Sequence, residues 1–406
     1  MKYDFESMID RRGLDASAID SLGSGWAPGL PKEGFDAIPM WVADMNFQTV
    51  PTVREAICRR MEHALFGYFN PREEYYDAII RWQADRNGVT GLKPEHIGYE
   101  NGVLGGMLSA MGTFCSRGDN VLLHAPTYMG FTGSLTNAGY HIVHSPLVRD
   151  EQGVWRMDFE DMERKIVENH IHAAIFCSPH NPTGRVWERW EIEKAMELYR
   201  KHDVYVVSDE IWSDVILDGN RHIPTQSVSE DARQRTVALY APSKTFNLAG
   251  LIGSYHIIYN ARLHDRVKKE SSLSHYNNMN VLSMYALIGA YQAEGREWLD
   301  ELCQTLSGNV DYAYRYIQEH FKGVYAARPQ GTYMLFMDCA EWMKAHDMTL
   351  EQLLKAGWDV GVAWQDGRQH GGTTHIRLNV ALPLARVKEA FERMDKYVFN
   401  ADARAE

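Results

Sequence analysis

Between residues 120 and 260 short apolar runs recur, each followed by turn residues and then by a helical pattern. Val121-Leu122-Leu123 opens the series, and further runs lie near 142, 173, 204, 237 and 255. A strand covered on both faces reads as a continuous apolar run, and its return to a parallel neighbour needs a crossover, usually helical. Ile192, Ala195, Met196 and Tyr199, between Arg185 and Lys201, fall on one helical face as such a crossover requires. The repetition predicts an α/β fold, with a mostly parallel, seven-stranded-type sheet carrying helices on both faces.

The pattern changes toward both ends of the chain. After about residue 290 a long helix from Arg296 to about His320 is predicted. It is followed by an apolar run Thr332–Met337, a helix, His375-Ile376-Arg377-Leu378 and a last helix, which together read as a smaller α+β domain. The first fifty residues are irregular, with Gly23-Ser24-Gly25 and Pro28-Gly29 ahead of a strand-like Ile38–Val42. Pro51 then opens a helix, with Thr49 or a neighbour as its expected cap. The predicted division is 1–50 as an arm and small-domain segment, 51–290 as the large domain and 291–406 as the small C-terminal domain.

Chemistry in an open α/β sheet collects at strand ends. Three predicted strand ends carry Asn181 (in Ser178-Pro179-His180-Asn181-Pro182-Thr183-Gly184), Asp209 (in Ser208-Asp209-Glu210-Ile211) and Lys244 (in Pro242-Ser243-Lys244-Thr245-Phe246-Asn247). An amide, a carboxylate and an amine are the groups needed to hold and use pyridoxal 5′-phosphate. The lysine serves as Schiff-base partner, the aspartate keeps the pyridine nitrogen protonated, and the amide donates to the ring oxygen. Two further features agree with that ligand. Asn101-Gly102-Val103-Leu104-Gly105-Gly106 precedes an apolar helical run, and a glycine turn at a helix N-terminus suits a phosphate. Tyr128 follows the Val121 run and offers an aromatic face to a flat ring.

Other classes are disfavoured. Forty-two basic against 54 acidic residues leave a net charge of −12, which argues against binding nucleic acid. Met1-Lys2-Tyr3-Asp4-Phe5-Glu6 lacks an apolar signal core, and no stretch nears the roughly 18 apolar residues of a membrane span, so a cytoplasmic protein is expected. The five cysteines are scattered without a Cys-x-x-Cys pair and the 17 histidines show no His-Glu-x-x-His spacing, so neither a disulfide frame nor a metal is expected.

The three strand-end motifs together resemble fold-type I pyridoxal-phosphate enzymes of the aminotransferase class I/II superfamily, and their wording is similar to the MalY/PatB-type cystathionine β-lyase branch. Val42-Ala43-Asp44-Met45, Phe66-Gly67-Tyr68, Trp298-Leu299-Asp300, Gly331-Thr332-Tyr333 and Arg377-Leu378-Asn379 match in the same order, so the resemblance covers almost the whole chain. It implies that Lys244 is the Schiff-base lysine, that Asp209 pairs with the pyridine nitrogen and that Asn181 donates to the ring oxygen. Tyr128 is implied to stack on the ring, while Ser243 and the backbone at Val103 and Leu104 hold the phosphate. Tyr68 is implied to reach the phosphate site of a neighbouring subunit, which makes a homodimer the expected assembly. Arg377 is the implied clamp for the substrate carboxylate.

Departures from that branch cluster at pocket positions. Asn46 stands where aspartate is usual, Trp212 where the branch has histidine, Leu382 where it has cysteine, and Ala363–Gly372 replaces a Pro-Gly and aromatic-glycine loop. Trp212 and Trp364 are therefore expected on the substrate side, beside Arg377 and Asp44. The expected activity is cleavage of cystathionine or another S-substituted cysteine to a thiol, pyruvate and ammonia. The alternatives are an aminotransferase on the same scaffold and a regulator-binding protein with residual lyase activity.

Overall fold

In the computed structural model, which describes residues 1–273 and 277–400, the chain divides into two compact units. The larger comprises residues 49–181 and 185–300, and the smaller comprises residues 1–48, 182–184 and 301 onward.

The large unit is built on one sheet of seven strands: β1 (Ile97–Glu100), β2 (Asn120–Ala125), β3 (His141–Pro146), β4 (Ala173–Cys177), β5 (Tyr205–Asp209), β6 (Thr236–Tyr240) and β7 (Ser254–Ile257). Their order across the sheet is β1-β7-β6-β5-β4-β2-β3, and β7 alone runs against its neighbours. Side chains alternate between faces along each strand. Val121, Leu123, Ile175, Val207 and Leu239 pack under helices Gly102–Phe114, Met129–Ala138 and Ala261–Leu273. Leu122, Ala174, Phe176 and Val206 point the other way, against Met162 and Ile166 of helix Phe159–Glu168 and Ile192, Ala195, Met196 and Tyr199 of helix Arg189–Lys201. Each large aliphatic side chain removed from water contributes about 1.5–3 kcal/mol, which is why both faces must be covered.

Six of the seven strands coincide with the apolar runs, and β1 does not. Its sequence Ile-Gly-Tyr-Glu has one aliphatic residue, and it buries a carboxylate. Glu100 accepts from His256 Nδ1 at 2.9 Å and from Ser271 Oγ at 3.0 Å. Gly98 is required because a Cβ there would lie 2.2 Å from the His256 ring of β7. Helix Pro51–Met61 begins at the predicted proline, but the cap differs. Val50 is the N-cap residue, no side chain closes it, and the Thr49 hydroxyl is buried without a partner.

The small unit carries an antiparallel sheet of β8 (Tyr325–Ala326), β9 (Met334–Asp338), β10 (Gln365–Asp366) and β11 (His375–Asn379), in the order β8-β9-β11-β10. Ile38–Pro39 pairs in parallel with Val362–Ala363, so the N-terminal arm belongs to this unit. Helix Leu350–Asp359 starts at a capping box in which Thr349 and Gln352 exchange bonds with each other's backbone amides. No helix among the described residues is long and apolar enough to cross a membrane.

Candidate active site

From β2 the chain steps outward to β3 at the sheet edge, then returns to β4 on the other side of β2. The loops leaving β2 and β4 therefore part in opposite directions, and the crevice outside such a reversal is where open α/β sheets bind ligands. Tyr128 follows β2 and Asn181 follows β4, while Asp209 ends β5 and Lys244 follows β6. Parallel registry sets Cys177 beside Asp209 and Asp209 beside Leu239, so neighbouring strands finish level.

Asp209 and Glu210 are adjacent, and their proton affinities are pushed in opposite directions. Asp209 is 5% exposed, and burial pushes its carboxyl up to about 7, against the Ile211 amide, which donates to Oδ1 at 3.0 Å, and the positive charge of Lys244. Burial would raise Glu210 as well, but its donors hold it below the ordinary range. Ser208 Oγ (2.9 Å), the Thr225 amide (3.0 Å), His222 Nε2 (2.7 Å) and Tyr240 Oη (2.6 Å) all donate to it. The Glu210 charge adds to the upward pressure on Asp209. Two carboxyls pushed apart by their surroundings are a recurring mark of acid–base sites.

Lys244 is half-buried, with Nζ 5.9 Å from the centre of the buried Trp212 ring. The residues after it anchor the loop. Thr245 Oγ1 donates to Asp214 at 2.9 Å, Asp214 also accepts from Trp82 Nε1 at 3.1 Å, and Phe246 stacks on Trp298. Ser243 is half-buried beside the lysine.

The opposite end of the site is a helix N-terminus. Helix Gly102–Phe114 starts with the Val103 and Leu104 amides in its first turn, with no acidic residue there and no side-chain cap. Such amides have no helical acceptor, and together with the helix dipole they attract an anion. Gly102 has φ +74°, and that left-handed conformation, rather than space, calls for glycine. Tyr128 is the N-cap residue of helix Met129–Ala138 and meets Phe131 edge-on at 5.3 Å. A Cβ on Gly130 would sit 2.3 Å from the Tyr128 ring, so the glycine makes room for it. A buried carboxyl with high proton affinity, an amine, a buried amide at Asn181, an aromatic ring and an open helix N-terminus fit the donor set that pyridoxal phosphate needs.

In the small unit, Arg377 lies on β11 between Phe336 of β9 and Gln365 of β10, and it is 3% exposed. It donates to the Trp41 carbonyl at 3.1 Å. Asn379 Nδ2 donates to the carbonyls of Val42 (2.7 Å) and Asp44 (2.6 Å), and Tyr333 Oη donates to that of Ala43 (3.1 Å). Three side chains thus hold four consecutive carbonyls, and Arg11 closes the set with a 2.7 Å ion pair to the Asp44 carboxylate.

The large unit carries Val103, Leu104, Tyr128, Asn181, Asp209, Trp212, Ser243 and Lys244 at one edge of its sheet, and the small unit groups Arg377 with Asp44. Tyr68 stands fully exposed between helices Pro51–Met61 and Glu73–Asn87. Trp364 departs from the substrate-side reading. It is 0% exposed, its Nε1 donates to the Leu354 carbonyl at 3.1 Å and its indole lies on Gly357, which makes it a core residue of the small unit. Glu210, His222, Tyr240, Tyr333, Asn379 and Arg11 escape the sequence reading as functional residues. The one available signal is Glu210, an acid placed directly after an apolar strand and next to Asp209.

A family model described as aminotransferase class I and II matches residues 37–394. Cystathionine beta-lyase PatB of Bacillus subtilis is 35% identical over 363 residues, covering 88% of this chain and 92% of that protein. Protein MalY of Escherichia coli is 28% identical over 394 residues, covering 95% and 96%. The crystal structure of the PLP-bound C–S lyase of Staphylococcus hominis matches with a TM-score of 0.88 at 30% identity, over 98% of both chains.

Proposed function

This chain belongs to the aminotransferase class I and II family, and we propose that it is a pyridoxal 5′-phosphate-dependent carbon–sulfur β-lyase that splits cystathionine or another S-substituted cysteine into a thiol, pyruvate and ammonia. The observation that carries this is the buried, proton-avid Asp209 on the strand next to the one that leads to Lys244. The likeness to named cystathionine and C–S lyases supports the β-lyase outcome over transamination.

When bound, the cofactor supplies a protonated ring that accepts the electron pair left on the substrate α-carbon. Lys244 would hold the cofactor covalently, and as a free amine it would take the α-proton of the substrate. Asp209 keeps the ring nitrogen protonated, a task an amide could not perform. Asn181 donates to the ring oxygen, Tyr128 covers the ring, and the Val103 and Leu104 amides with Ser243 take the phosphate. Arg377 grips the substrate carboxylate, with Asp44 and Trp212 as further substrate-side groups. The β-carbon–sulfur bond then breaks, sulfur leaves with its electron pair and gains a proton, and water uptake by the three-carbon remainder releases pyruvate and ammonia.

Incubation of the purified protein with cystathionine should yield pyruvate and free thiol in equal amounts. Exchange that depends on a keto acid, without pyruvate, would overturn the lyase reading in favour of an aminotransferase. Lys244→Ala should lose the borohydride-reducible link between cofactor and chain, and a link that survives assigns that role to another lysine.

A homodimer is part of the proposal. Leu65, Phe66 and Tyr68 are exposed on one short stretch, and apolar side chains grouped in this way mark contact surfaces. Tyr68 is proposed to complete the partner's phosphate site. A monomer in sedimentation at micromolar concentration would refute both statements. The cytoplasm is the proposed compartment, in keeping with five cysteines that form no disulfide.

A further inference from the structure

A second cavity, of about 340 Å³, lies on the large unit between residues 224–233, residues 87–90 and strands β6 and β7. Of the site residues named above only Tyr240 lines it. Val89, Pro224, Ile257 and the Tyr259 ring make its walls partly apolar, and Arg233 and Glu230 place two opposite charges on it.

Arg233 is half-buried, and its guanidinium carbon stands 4.4 Å from the centre of the Tyr259 ring. Stacking of this kind holds the guanidinium plane, and the Tyr259 hydroxyl takes one of its N–H groups, which leaves the others for a planar anion. Among the described residues Arg233 has no carboxylate partner. Glu230 lies three residues earlier on helix Glu230–Arg235, so the two charged groups share one helical face. It is exposed, and it accepts from Gln234 Nε2 at 2.8 Å. A fork of cationic donors, a carboxylate one turn away, and a lining that sets Asn87, Thr90, Gln226 and Ser229 beside Val89 and Tyr259 in a cavity of ligand size are complementary to a small zwitterion.

From this we infer that the cavity binds a small α-amino acid, its carboxylate on Arg233 and its ammonium group on Glu230. The site is also connected to the catalytic edge. Tyr240 forms part of the wall, stacks on Tyr255 and donates at 2.6 Å to Glu210, the neighbour of Asp209. An occupant therefore packs against the residue that helps hold Glu210 charged.

The test uses holoenzyme reduced with borohydride, whose cofactor is fixed to the chain and cannot react with an added amino acid. Retained cofactor fluorescence on the reduced chain separates failure of the cofactor reading from failure of this one. Calorimetric titration with L-methionine should give one saturable site per chain, weakened about tenfold or more by Arg233→Ala and less by Arg233→Lys. Glu230→Gln should weaken L-methionine but leave 3-(methylthio)propionate, which lacks the amino group, unaffected. Unfolding midpoints near wild type show that each variant is folded, and Arg233→Lys decides the question if Arg233→Ala does not fold. Absence of saturable binding to the wild-type protein, or equal affinity in wild type and Arg233→Lys, would overturn the assignment.

Discussion

In the cofactor-free protein Asp209 is a carboxyl group 5% exposed, and burial pushes it up to about 7 from an ordinary 3.8. Folded chains therefore keep a proton that unfolded chains release between about pH 4 and pH 7, so stability should fall as pH rises through that window and level off above it. A difference of about three pH units, at about 1.36 kcal/mol each, sets the whole fall near 4 kcal/mol, with roughly 2 kcal/mol of it between pH 5 and pH 7. Asp209→Asn keeps an acceptor for the Ile211 amide and has no proton to lose. The measurement is urea unfolding of both apoproteins, read as the difference between them so that groups common to both cancel. Wild type should lose roughly 2 kcal/mol relative to the variant from about pH 5 to pH 7. Bound pyridoxal phosphate should abolish that loss, because a cationic ring nitrogen then neutralises the carboxylate. A difference that stays constant with pH would refute the reasoning, since Lys244 would then hold Asp209 ionised and burial would not be the larger effect.

Glu210→Gln removes the charge to which His222 and Tyr240 donate, and breaking a buried, satisfied pair in this way should cost about 3–5 kcal/mol in unfolding experiments. The same change should move the Asp209 window to lower pH, because the Glu210 charge is one of the effects that raise it. Gly98→Ala places a Cβ 2.2 Å from the His256 ring and should cost about 1–3 kcal/mol as the ring shifts away from Glu100. An unchanged melting temperature would contradict that contact. Asn379→Ala strips the donors from the Val42 and Asp44 carbonyls and should cost about 1–3 kcal/mol. It should also raise KM for the thioether more than it lowers kcat. If KM does not change, the 41–44 segment has no part in substrate binding.

The sequence by itself determined the alternation of strand and helix, six of the seven strands of the large sheet, and the placing of Asn181, Asp209 and Lys244 at strand ends. These are local properties: an apolar run of a few residues, the turn after it and the period of the next helix are all readable within a short window. Strand β1 was not legible because its place is set by a close approach to His256 and by buried partners for Glu100, which belong to residues far along the chain. Trp364 carried the marks of a pocket residue, and only packing against Gly357 shows it to be core. The segment 41–44 is held by Tyr333, Arg377 and Asn379, about three hundred residues away in sequence, and no local pattern predicts such pairings. The deepest division falls between Asp209 and Glu210. They are neighbours of one chemical type, and only the tertiary structure raises the proton affinity of one and lowers that of the other. A carboxyl group's affinity for its proton depends on how much water it has lost and how many donors replace it, and both are set by the fold.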